Sequence, residues 1–218
     1  MAENIEQLLQ NLESALVLNP NDPFRRVRLG KMYLKAGDVE KAQLAFDRVL
    51  RKDPAYADAH HGLGQVRAKK GEPDAALACF RQALSLDPNH FEAHADLARH
   101  YEAKGEEASA RTHHDVLLRL KPDDPEVLRN AAAHLMRFGH FGVAIPLLER
   151  GRKIEPGDRA SAVALGIAYV KTEQFAAGRE LLRDACQGDD AAPEGLECLA
   201  EAHLALSEPA RAAEVFQR

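Results

Sequence analysis

Apolar and small residues recur along this chain with two periods, about 3.6 residues inside short segments and 34 residues between them. Prolines stand at 20, 54, 88, 122 and 156, each 34 residues after the last. That spacing divides the chain into units at 23–56, 57–90, 91–124, 125–158 and 159–192, with an incomplete sixth at 193–218. Eight residues into each unit the side chain is small: Gly30, Gly64, Ala98, Ala132, Gly166 and Ala200. At position 20 it is small again: Ala42, Ala76, Ala110, Ala144, Gly178 and Ala212. Two small stripes in phase predict two antiparallel helices crossing closely, because only a small side chain lets their backbones approach. Larger fillers sit at position 7 (Leu29, Leu63, Leu97, Leu165, Leu199) and at position 24 (Phe46, Phe80, His114, Leu148, Leu182, Phe216).

Turn chemistry marks the helix ends. In the first unit Asp22 is placed to cap a helix whose first residue is Pro23, and Gly37 supplies a left-handed stop. Gly71, Gly105 and Gly139 repeat that stop. Residues 1–22 carry Leu8, Leu12 and Ala15 in second-helix register and predict an amino-terminal capping helix. Three departures predict local distortion: Asp190 in place of a repeat proline, Pro146 inside a helix, and Gly151 at a usual alanine position. At the other end, Val215 and Phe216 lie on a face that nothing after Arg218 would cap, so either a longer protein continues or another molecule covers it.

The Leu29-Gly30, Tyr33, Ala42, Phe46 and Pro54 pattern resembles the tetratricopeptide repeat, and the resemblance runs through nearly the whole chain. It implies an all-α fold, a right-handed superhelical solenoid of antiparallel helix pairs. The large aromatic frequent at position 4 is absent (Arg26, His60, His94, Leu128, Ala162, Leu196), which predicts looser filling between helices. Around residues 144–182 there is a further local resemblance to the magnetosome-associated members of that family. The family's concave face is lined through positions 2, 5, 9 and 12 of the first helices. The resemblance therefore implies a peptide-binding groove at Val27, Lys31, Leu34, His61, Gln65, Glu92, Arg99, Arg129, Met136, Val163, Ile167 and Val170. The chaperone-tail clamp of some relatives is not matched, since only Asn130 agrees with it, and the asparagine ladder of others is missing.

Composition narrows the partners. A net charge of −5 argues against nucleic acid, and the acid-punctuated amino terminus argues against a signal peptide or a membrane span. Cys79, Cys186 and Cys198 form no C-x-x-C pair, so reduced thiols in a cytoplasmic protein are expected. No phosphate loop, nucleophile elbow or zinc motif occurs, and no catalytic residue, metal site or cofactor is expected. The histidine cluster HFEAHADLARH reads as packing, because His94 and His100 lie far apart around one helix. Charge is uneven: residues 1–22 carry −4 and the next unit +5, with Lys31 and Lys35 toward the groove side. That block is either a solvated face or a site for an acidic segment. The function expected is a non-catalytic scaffold that binds a peptide or partner helix. Its alternatives are a targeting module of a larger enzyme, such as a sulfotransferase or glycosyltransferase, and a scaffold that assembles with itself through the uncapped end.

Overall fold

In the computed structural model residues 2–187 and 192–217 are described, and among them there are thirteen α-helices and no strand. The expected bend at Asp190 lies outside the described residues. The chain forms two compact units that divide between Glu106 and Glu107, within the third 34-residue repeat. The first contains α1 (Ala2–Leu18), α2 (Pro23–Ala36), α3 (Val39–Leu50), α4 (Ala57–Lys69), α5 (Pro73–Leu86) and α6 (Phe91–Lys104). The second contains α7 (Glu107–Leu120), α8 (Pro125–Arg137), α9 (Phe141–Ile154), α10 (Arg159–Lys171), α11 (Phe175–Ala185), α12 (Pro193–Ala205) and α13 (Pro209–Phe216).

The helix ends follow from the residues that flank them. Asp22 accepts from the Arg25 amide at 3.0 Å and Asp38 from the Lys41 amide at 3.1 Å, each satisfying a donor that a helix start leaves open. Gly37, Gly71, Gly105 and Gly139 all have left-handed backbone, with φ between 72° and 84°. The same stop persists 34 and 68 residues after Gly139, where Glu173 and Ser207 take it at φ 62° despite their Cβ atoms. Pro146 does not interrupt α9, which runs unbroken from Phe141 to Ile154. It is the sixth residue of the helix, and its missing amide takes the helical partner from one carbonyl, that of Gly142.

Packing within each unit turns on the small stripes. Phe46 is fully buried and its ring fills the space over both Gly30 and Gly62, so one aromatic joins α3 to α2 and to α4. Phe80 meets Gly64 in the same way. In the second unit Leu182 packs on Gly166, and Val170 packs on Gly178, where an added Cβ would lie 2.6 Å from its Cγ2. Successive repeats are also tied by polar contacts. A tyrosine at position 11 reaches back 20 residues to the preceding second helix: Tyr33 donates to Glu13, Arg81 donates to Tyr101 at 2.7 Å, and Tyr169 donates to Glu149 at 2.6 Å. Partial burial and the carboxylate partner push the Tyr33 and Tyr169 phenols up to about 12.

Position 4 has a function the sequence pattern hid. Arg26, His60 and His94 each donate to the carbonyl of the repeat proline six residues earlier, Pro20, Pro54 and Pro88, the histidines at 2.8 and 3.0 Å. The missing aromatic is thus replaced by a polar tie rather than by a gap, at least in the first unit. In the second, Leu128 occupies the position and is fully buried.

Candidate functional site

Each unit contains a large open cleft lined mainly by its first helices. In the first unit the cleft is about 780 Å³ in volume, within the range of ligand-binding clefts. Its floor is apolar, with Leu34 from α2 and Ala76 and Phe80 from α5, and its walls carry Lys31, Lys35, Gln65, Lys69, Glu92, Asp96 and Arg99. Two polar ladders order these walls. Lys31 donates to Asp58 at 2.8 Å, joining α2 to α4, and His90 Nε2 lies 3.7 Å from the same carboxylate. His90 also caps α6, its Nδ1 accepting from the Ala93 amide at 3.2 Å. The nearby His90 ring, with the Lys31 hydrogen bond, holds Asp58 far below the usual carboxylate range, and the Asp58 carboxylate raises His90 in return.

The second ladder joins α4 to α6. His61, only 1% exposed, places Nε2 2.8 Å from Asp96, which also accepts from Gln65 at 3.2 Å and pairs with Arg99. Burial pushes the Asp96 carboxyl up, but the His61 and Gln65 hydrogen bonds and the Arg99 charge outweigh it and keep the group ionised. The His61 ring is held between Phe80 and His90, with centroids 5.6 and 4.9 Å away.

The cleft of the second unit, about 700 Å³, is of a different kind. Met136, Phe141, Val163 and Ile167 form an apolar wall, bordered by Arg129, Arg137, Arg159 and Glu194. Arg129 donates to Asp158 at 2.9 Å, and Asp158 caps α10 through the Ala160 amide and accepts from Ser161. The Ser161 and Arg129 hydrogen bonds hold Asp158 below its ordinary value. Arg159 is anchored by the Ala185 and Gln187 carbonyls at 2.5 and 2.8 Å.

Of the residues expected in a groove, Lys31, Leu34, His61, Gln65, Glu92 and Arg99 line the first cleft, and Arg129, Met136, Val163 and Ile167 line the second. Val27 and Val170 line neither. Val27 is buried with Phe46 and Ala59, and Val170 with Leu182, Leu199 and Ala202. In both cases the first helix of the following repeat covers a position that a single hairpin would leave open. Sequence reasoning missed Asp96 and Phe80 in the first cleft and Phe141 and Arg159 in the second: Phe80 was read as a packing filler, and the others lie outside positions 2, 5, 9 and 12. For Asp96 the signal is the pairing of polar groups one repeat apart, as in Lys31 with Asp58 and His61 with Asp96.

Among the described residues no helix is long and apolar enough to cross a membrane. The tetratricopeptide-repeat profile matches residues 27–89, 129–195 and 163–218, and a second profile of the same description matches 67–134. No curated protein matches the sequence. Among solved structures, the carboxy-terminal part of a repeat-containing protein from Cytophaga hutchinsonii is similar at a TM-score of 0.74 and 14% identity, covering 98% of this chain and 88% of that one. YrrB, described as a TPR protein with an unusual peptide-binding site, is similar at 0.71 and 16%, covering 79% and 89%. MamA from Desulfovibrio magneticus RS-1 is similar at 0.67 and 24%, covering 74% and 91%. At these identities the likeness speaks to the fold, a solenoid of antiparallel helix pairs.

Proposed function

The chain belongs to the tetratricopeptide-repeat family, and on that premise we propose that it is a non-catalytic scaffold holding an extended peptide or partner helix against the first helices. The observation that carries the reading is that each unit's first helices line an open cleft whose polar walls are already ordered by bonds between repeats. Preorganised walls lower the cost of ordering side chains on binding. A peptide-binding site described for YrrB, which shares the fold, agrees with this. The carboxylates Asp96 and Asp158 are committed to structural partners, Asp96 to His61 and Gln65 and Asp158 to Arg129, Ser161 and the α10 cap, which supports a binding rather than a catalytic use.

Panning a random peptide display library on the full chain tests it. Selected peptides are expected to bind the wild type and to lose affinity at least tenfold on the Arg99→Glu, Arg129→Glu double variant. Helicity by circular dichroism and the thermal midpoint check that the variant is folded, since Arg129 supports the α10 cap. Undiminished binding by a folded double variant refutes the assignment.

A further inference from the structure

We propose that the cleft of the first unit is selective for a short acidic peptide segment of a partner protein, extended and carrying one aliphatic or aromatic anchor. This rests on the scaffold reading and names its partner. The floor of Leu34, Ala76 and Phe80 is a place for the anchor, and of the four wall cations Lys31 and Arg99 are paired with Asp58 and Asp96, while Lys35 and Lys69 stand exposed at the rim.

Asp58 and Asp96 offset Lys31 and Arg99, so the positive field of the cleft comes from Lys35 and Lys69. Asp96 has a side chain only 10% exposed, and its oxygens are occupied by His61, Gln65 and Arg99. Glu92 lies 3.6 Å from His90, which shares Asp58 with Lys31. Lys35 and Lys69 are exposed on the rim and dominate the potential that an entering peptide meets. An electropositive cleft in a chain of net charge −5 is a local feature. That net charge disfavours a long polyanion, whereas a short acidic segment meets only the local field of Lys35 and Lys69. That contrast favours an acidic peptide over nucleic acid.

Fluorescence anisotropy on the full chain decides the matter, with three labelled probes: the peptide Asp-Glu-Leu-Glu-Asp-Phe-Glu-Gly, the same peptide with every acid replaced by lysine, and an eight-nucleotide thymidine strand. The acidic peptide alone should bind, weakening with added sodium chloride. Lys35→Glu with Lys69→Glu should weaken it at least tenfold, while Arg137→Glu, in the other cleft, should leave it unchanged. Both lysines are exposed, so the reversal leaves the core untouched. Equal binding of the lysine peptide, equal binding of the thymidine strand, or indifference to the lysine reversal overturns the proposal. Self-association that the acidic peptide displaces overturns it too, by assigning the cleft to a second copy. If display instead selects neutral or basic peptides that still need Arg99 and Arg129, the scaffold reading stands and the acidic selectivity falls.

Discussion

Phe46 shows how much of the first unit rests on one side chain and two missing ones. Its ring is fully buried over Gly30 and Gly62, so Phe46→Ala should lower stability by about 3–5 kcal/mol in urea unfolding. Gly62→Ala should also destabilise, because the new methyl group would sit inside that ring's volume. Gly151→Ala should do the opposite. Its Cβ would meet Leu128 at 3.8 Å, an ordinary contact, and removing glycine from a helix interior stabilises by about 0.5–1 kcal/mol. The sequence marked Gly151 as a departure without telling whether space existed for a methyl group. The Asp58–His90 pair adds a pH dependence. The depressed Asp58 contributes stability above its unfolded value of 3.8, lost as pH falls through the lower folded value. The raised His90 contributes below its unfolded value of 6.5, lost as pH rises through the higher folded value, and that gain is offset in part by loss of the Ala93 cap, because a protonated Nδ1 no longer accepts. Thermal midpoints relative to Asp58→Asn should therefore show the wild type's advantage greatest between about pH 4 and 6.5; an advantage that keeps rising above pH 8 would contradict this.

The helices themselves were legible because caps, stops and small stripes agree in phase, from Asp22 and Pro23 to Gly37 and onward. What escaped was the persistence of a backbone conformation after its residue changed. Glu173 and Ser207 hold the left-handed stop between α10 and α11 and between α12 and α13, and a side chain there costs about 1–2 kcal/mol. Glu173→Gly and Ser207→Gly should each stabilise the second unit by up to about 1 kcal/mol, the gain being trimmed by glycine's greater freedom when unfolded. A fall in the unfolding midpoint would show that those side chains contribute more than their strain costs. The position-4 ties, Arg26, His60 and His94 to the repeat prolines, were equally hidden, because a pattern written for an aromatic registers a polar substitute only as a loss.

At the scale of the molecule, the repeat register located the two faces of each helix pair but not the extent of cover by the next pair. Positions 5 and 12 line a groove where the following helix stands back, as at Arg129 and Met136, and lie in the core where it closes in, as at Val27 and Val170. That outcome depends on the size of residues in another repeat, such as Ala59 and Ala202, which no single repeat records. The cleft of the first unit is charged and that of the second is apolar. Their use is tested most directly by hydrogen exchange on the full chain with and without a display-selected peptide. Binding should slow exchange in α2, α4 and α6 or in α8, α10 and α12, while α3 and α11 stay unchanged; protection confined to α3 and α11 would contradict the account.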